Sequence, residues 1–432
     1  MNGMMKVVSV GMTGAVLALA GASVASAAAR PAAHAHKTVT ITFWNEMTGP
    51  YEVALDKVMH QFEKTHRNIH IRDIVVSNDA ALEPKLLAAL VANDPPTISQ
   101  MNPNWASGFV KTGSLYDMSG FIHSKAGFSL KPFFKGLLKA GQFSGHQYIL
   151  PFNVSANVMF YNQTQFKQAG IASAPRTWTE FAADAKKLST NGRHAFAITL
   201  VHTYPFRSAV IQAGGEFVLP NGKPNPGVFK RNGAATKALE LWSNMVKNGS
   251  AILTQGYGSQ TDFADGTSSI LEGTSAFYPY LAQAVGGKFP IGIAPLPGDK
   301  NDGTASFGGY LGVFNQASGA QKTAAMEFVK FLTSKQGQTI WMEDSEGYLP
   351  VRDDVAASAS AKSFLASHPA QRVALSVMGR AQMSPRVSWW NQFSNQYLLN
   401  DITAVLDHKM SAPAAMHQAY QQAEQTYSSP QG

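Results

Sequence analysis

Residues 39–44 read VTITFW, 51–65 read YEVALDKVMHQFEKT and 69–76 read IHIRDIVV. The order of these three patterns decides the fold. VTITFW alternates β-branched and aromatic residues, as a buried or half-buried strand does. In 51–65, Val53, Leu55, Val58, Met59 and Phe62 recur near helical spacing with charged residues between them, which predicts a helix. IHIRDIVV is again strand-like. A helix over 82–92, with Leu86, Leu87, Leu90 and Val91 apolar, is stopped by Asn93-Asp94-Pro95-Pro96, and a short strand over 97–100 follows. Strand, helix, strand, helix, strand is the α/β signature of a mostly parallel sheet with helices on its faces. Such sheets bind ligands beyond the carboxyl ends of their strands, which here means the loops 45–50, 77–81 and 101–107.

A second α/β run begins near Tyr148. Strands are expected over 148–152, 157–161 and 195–200, and helices over 162–170, 179–188, 206–213 and 234–248. After a strand over 291–295 and the stretch GGYLGVF (308–314), the pattern turns mainly helical, at 322–333, 334–343, 353–379 and from 395 onward.

Toward the other end, residues 1–27 carry one charge, Lys6, ahead of the apolar run 7–20 and the small-residue pattern Ala25-Ser26-Ala27. This is the arrangement of a secretory signal peptide, and the apolar run falls short of the roughly 20 residues that span a bilayer. Residues 28–37 read as a flexible leader. The chain of 432 residues contains no cysteine, so disulfides, thiolate metal sites, a thiol nucleophile and a lipidated cysteine are all excluded. An exported, soluble protein, periplasmic or extracellular, is expected. Its formal net charge of +8 is scattered without a dense basic stripe, which speaks against a nucleic-acid partner. The sparse carboxylates, 27 Asp and Glu in all, suggest a protein that tolerates an acidic exterior.

Catalytic signatures are absent: there is no HExxH, GxSxG or Walker motif, and no glycine triad after a strand. Asp262-Phe263-Ala264-Asp265-Gly266 lacks the spacing and final Glu of a calcium loop. His60, His66 and His70 fall on a polar helix end and its turn, where a solvated face is the simpler account. No catalytic residue, metal site or cofactor is expected, and the reading is of a binding protein rather than an enzyme. The crevice loops instead hold aromatic and amide side chains: Trp44-Asn45-Glu46, Asn102-Pro103-Asn104-Trp105, Tyr204, Tyr278-Pro279-Tyr280, Tyr310, Tyr348 and Trp389-Trp390-Asn391. Flat aromatic surfaces match the C–H faces of sugar rings, and amides and carboxylates match their hydroxyls.

The stretches 39–49 (VTITFWNEMTG), 82–98 (LEPKLLAALVANDPPTI), 148–171 (YILPFNVSANVMFYNQTQFKQAGI), 174–188, 307–314, 324–355 (with GYLPVR) and 385–406 occur in an order that carries a family likeness. The chain resembles the extracellular solute-binding proteins of ABC importers, in the sugar-binding group that includes glycerol-3-phosphate- and maltose-binding proteins. The resemblance implies an α/β fold of two hinge-closing lobes (the type II periplasmic-binding-protein fold), one at 38–148 plus 299–350 and the other at 149–298 plus 351–432. It implies a monomer that holds a carbohydrate between the lobes and delivers it to membrane permease subunits. By position it implies ligand contacts at Trp44, Asn45, Glu83, Asn102, Trp105, Asn153, Tyr204, Tyr348 and Arg386, and at Gly308 and Gly309 through free backbone N–H groups. Tyr204 and Arg386 would suit a glycerol phosphate or its diester, although ITLVHTY (198–204) departs from the tryptophan-rich stretch of those members, and Arg386 could equally serve a salt bridge. An exported carbohydrate-cleaving enzyme is the remote alternative.

Overall fold

A computed structural model describes residues 38–190 and 192–429. The expected signal peptide (1–27) and leader (28–37) lie outside these residues.

Strand β1 (Val39–Asn45) turns Ile41, Phe43 and Asn45 inward. Helix α1 (Pro50–Thr65) starts on a proline, whose fixed φ suits a first helical turn. It buries Tyr51, Ala54, Leu55, Val58, Met59 and Phe62 at spacings of three and four. Val53, which the sequence places among the apolar residues of this helix, faces outward and is 59% exposed. Strand β2 (Ile69–Val75) pairs in parallel with β1 along its whole length. Helix α2 (Asp79–Val91) starts three residues before the expected Leu82, because the Asn78 side chain accepts a hydrogen bond from the Ala81 N–H and caps it. Strand β3 (Ile98–Met101) pairs in parallel with β1, and helix α3 (Pro103–Lys111) follows it.

The expected strands over 148–152 and 157–161 are one continuous strand, Ile149–Asn162. Almost every residue of it is buried, so no alternation of polar and apolar residues marks its middle. Its first half pairs antiparallel with strand Thr304–Val313, and its second half with strands Ile270–Thr274 and Ile291–Ala294. A curled sheet results, with β2, β1, β3 and Thr304–Val313 forming one wing. Strands Ile270–Thr274, Phe196–Thr199 and Ala251–Thr254 form the other. Within each wing the outer strands are parallel, and the strands at the centre are antiparallel. The sheet is therefore mixed, where the sequence suggested a mostly parallel one.

Each wing has its own apolar core. Phe43, Phe62 and Phe328 meet in one, with Phe43 and Phe328 edge to face at 5.6 Å. Phe196, Phe206, Trp242, Trp390 and Phe393 fill the other. The helical stretch 353–379 is broken into Asp353–Ala356, Ala359–Ser367 and Pro369–Val377, with Ser358 capping the second and Pro369 opening the third. Among the described residues, no helix is long and apolar enough to cross a membrane.

Candidate ligand-binding cleft

The loops at the carboxyl ends of strands in both wings converge on one cleft. Glu46 and Thr48 follow β1, and Asn78 precedes α2; Val201, His202 and Tyr204 follow Phe196–Thr199. These residues, with Glu272, Phe307 and Tyr348, line a cavity of about 190 Å³. A second hollow of about 240 Å³ shares Asn78, Val201, His202 and Tyr257 with it and adds Glu83, Trp105, Asn391 and Asn395. The two together fall within the roughly 300–1,000 Å³ usual for small-molecule sites.

The walls are aromatic. The Tyr204 ring lies 4.9 Å from Phe307 and 5.4 Å from His202. Tyr348 lies 4.7 Å from Tyr51 and stacks on Trp341 at 5.4 Å. The Tyr280 hydroxyl donates to the Thr48 carbonyl at 2.8 Å and the Tyr51 hydroxyl to the Ala276 carbonyl at 2.5 Å, so α1 and the 275–280 segment hold each other. Burial, with the neighbouring phenols Tyr348 and Tyr280 adding to it, pushes the Tyr51 hydroxyl well above its ordinary pKa.

The polar groups have different supports. Gln100 donates to the Glu46 carboxylate at 3.0 Å and to the Asn153 amide oxygen at 3.3 Å, so the buried Asn153 fixes Glu46 through Gln100. Glu272 sits on the strand opposite Met159 with its Oε1 buried and without a hydrogen-bond partner. Burial pushes its carboxyl up to about 8. At the mouth, Asn391 donates to Glu83 at 2.7 Å and accepts from Asn104 at 3.1 Å and Asn395 at 2.7 Å. Among the described residues, no lysine or arginine lines either hollow, and no group of three or more His, Asp or Glu is placed to hold a metal ion.

Of the residues singled out in the sequence, Glu83, Trp105, Tyr204 and Tyr348 line the cleft. Asn153 stands behind it. The others lie elsewhere. Asn45 is fully buried and committed to the β1–α1 turn, donating to Asp73 at 2.6 Å and accepting from the Met47 N–H at 2.8 Å. Trp44 is half-buried with the Lys85 ammonium 4.5 Å over its ring, and Asn102 is buried at the start of α3. Gly308 and Gly309 are strand residues opposite Val154 and Asn153, not members of an open loop. Their role is space: a Cβ on Gly309 would stand 2.2 Å from the Gln100 amide. Arg386 lines a separate groove with Gln142 and Trp389, where its guanidinium donates to the carbonyls of Lys139 and Gln142. Tyr310, Trp389 and Trp390 are core residues.

Glu46, Asn78, His202, Tyr257, Glu272 and Phe307 also line the cleft, and the sequence assigns none of them a ligand contact. Glu46 and Tyr280 stand in aromatic or amide clusters that the sequence marks. Glu272, a single carboxylate in the strand ILEGT, carries no local signal.

This architecture, two α/β wings with a ligand-sized cleft at their strand ends, is that of a two-lobed periplasmic-binding protein. Residues 57–369 match the family of bacterial extracellular solute-binding proteins, and the chain belongs to that family. Over 352 residues it is 26% identical to the diacetylchitobiose-binding protein of Streptomyces coelicolor, covering 77% of this chain and 78% of that one. It is 23% identical to the sn-glycerol-3-phosphate-binding periplasmic protein of Yersinia enterocolitica, over 79% of this chain and 81% of the relative. The GacH receptor of Streptomyces glaucescens, solved unliganded and with acarbose, superposes with a TM-score of 0.81 at 18% identity, over 90% of this chain and 98% of the receptor.

Proposed function

We propose that this protein binds a mono- or oligosaccharide in the cleft and delivers it to the permease of an ABC importer, without catalysing a reaction. The observation that carries the reading is the composition of the cleft: aromatic walls from Tyr204, Phe307 and Tyr348, polar groups from Glu46, Glu83 and Asn391, and, among the described residues, no lining lysine or arginine. Aromatic faces suit the apolar side of a pyranose and carboxylates and amides suit its hydroxyls. Trp105 joins the contacts in the outer hollow, and Asn153 acts through Gln100 and Glu46. Relatives that bind a diacetylchitobiose or glycerol 3-phosphate bracket the ligand class. Glycerol 3-phosphate ranks second, because the arginine expected to hold its phosphate is engaged with backbone carbonyls outside the cleft.

The lobe division we propose is 38–148 plus 299–350 against 149–298 plus 351–432. Strand Ile149–Asn162, whose first half pairs in the first wing and whose second half pairs in the second, supports a crossing between lobes in this stretch. Closure of such lobes around ligand gives the sugar differential affinity for two states, and a permease can read that difference. The protein works as an exported monomer, in line with an extracellular family. A thermal-shift and tryptophan-fluorescence panel of sugars and glycerol phosphates tests the reading. A rise in Tm with a sugar supports it. A response to glycerol 3-phosphate alone moves the assignment to the second ligand, and silence across the panel removes both.

A further inference from the structure

Glu272 is the group that the carbohydrate reading leaves without a task. It lies at the centre of the second wing, on the strand paired with Ile149–Asn162, and it lines the main cavity. Its Oε1 is buried with no donor in reach. An unsatisfied buried carboxylate oxygen costs free energy unless a ligand completes it. Glu46 lines the same cavity from the first wing, held by Gln100. Around them stand phenols and a phenyl ring: Tyr204 and Phe307 on one side, Tyr51, Tyr280 and Tyr348 on the other, and Tyr257 at the junction with the outer hollow. His202 is the remaining titratable group that lines the cavity. The Glu272 carboxyl within aromatic walls, with no lysine or arginine among the described lining residues, forms a host for a cation.

We propose that the sugar this protein takes carries an amine, whose ammonium group is seated against Glu272 with Glu46 across the same cavity. The inference rests on the carbohydrate reading and narrows it. An ammonium brings three N–H donors and no acceptor, so it can donate to the Glu272 carboxylate and also gains from the aromatic faces. A neutral hydroxyl supplies one donor, brings no charge and leaves the Glu272 carboxyl protonated. In the empty cavity burial holds the Glu272 carboxyl protonated up to about pH 8. Arrival of an ammonium favours the carboxylate, so binding expels a proton into solvent.

Calorimetric titration at pH 6.5, where a sugar amine is protonated, tests this with matched ligands: glucosamine, glucose and N-acetylglucosamine, and the disaccharides chitobiose, cellobiose and diacetylchitobiose. The amine sugar is expected to bind about tenfold or more tighter than its neutral counterparts, a difference on the order of one good charge-assisted hydrogen bond. Repeating the titration in buffers of different ionisation enthalpy should show proton release with the amine and none with the neutral sugars. Glu272→Gln should bring the ratio of amine to neutral affinity close to one. Neutral sugars binding as tightly as the amine, or a preference that survives Glu272→Gln, overturns the inference while the carbohydrate reading stands. Binding of no sugar at all overturns both. If the variant does not fold, the wild-type proton release decides, and its absence counts against the proposal.

Discussion

Asn391 donates a 2.7 Å hydrogen bond to the Glu83 carboxylate, joining residues 308 positions apart at the mouth of the cleft. Under the proposed lobe division this bond crosses the opening, and Asn104 and Asn395 converge on the same asparagine from either side. Asn391→Ala removes the common partner. Loss of a hydrogen bond to a charged group is worth about 1.5–3 kcal/mol when shielded and less in this part-exposed position, so affinity should fall by about 5- to 10-fold. Small-angle scattering of the unliganded variant should show a larger radius of gyration. An unchanged radius with unchanged affinity would mean the contact does not restrain the lobes.

Gly309 gives the Gln100 amide its room. Gly309→Ala places a methyl 2.2 Å from that amide and 2.5 Å from the Asn153 oxygen, so the link from Asn153 to Glu46 must shift. Overpacking of this kind costs about 1–3 kcal/mol, read as a lowered denaturation midpoint. Ligand affinity should fall with it, since Glu46 loses its support. Native affinity in a destabilised variant would separate Glu46 from ligand binding.

Arg386→Ala should lower stability and leave ligand affinity intact. The guanidinium donates to the carbonyls of Lys139 and Gln142, outside the cleft, and their loss costs roughly 1–3 kcal/mol. Paired chemical denaturation and ligand titration check this. A selective loss of affinity would restore the phosphate-binding role that the sequence suggested.

Stability should be highest in mildly acidic solution. Burial, reinforced by Asp56, pushes Asp73 up to about 6; burial alone raises Asp401 to about 6 and Glu272 to about 8. Each binds its proton more tightly when folded, so its contribution is fully present below the ordinary carboxylate range and is lost as pH rises through 6 and then 8. Asp117 and Asp354 act in the opposite sense. Burial would raise Asp117, but its bonds from Ser119 and His146 outweigh that, and the Arg352 fork holds Asp354 down. Their contribution is lost as pH falls below about 4. A Tm profile should therefore peak near pH 4–5, the usual carboxylate range, and decline toward pH 8. A collapse already below about pH 5 would contradict both this balance and the expected tolerance of an acidic exterior.

Trp105 should report ligand. Trp242, Trp341 and Trp390 are packed in the interior and Trp389 faces the separate groove, whereas Trp105 lines the outer hollow. Trp105→Phe should abolish most of the fluorescence change on binding while retaining a thermal shift.

The first wing was legible because each of its elements has one buried face. β1 shows it as inward Ile41 and Phe43, and α1 as apolar residues at spacings of three and four. Strand Ile149–Asn162 was split in two because burial on both faces erases that alternation. The segment Tyr278–Val285 was overlooked as a helix because it is short and opens on Pro279 within an aromatic cluster. At the site, Tyr204 could be named as an aromatic in a loop after a strand, and Glu83 only through the family resemblance, since it lies within α2. Glu272 could not, since a lone glutamate in a strand looks the same whether it meets water or a cavity.

The sequence by itself determined the α/β class, the family likeness and the loops in which the cleft lies, because periodicity and chain order are local properties written into residue type. Which side chains enter the cleft was decided only by tertiary structure. Asn45 and Arg386 are polar residues beside the expected site, and each is committed to bonds that belong to the scaffold: Asp73 and Met47 for one, Lys139 and Gln142 for the other. Asn391 and Glu83 acquire their joint position because the sheet curls two distant segments toward each other. A hydrogen-bonding group has a limited number of donors and acceptors, and its availability to a ligand is set by the partners the fold supplies first.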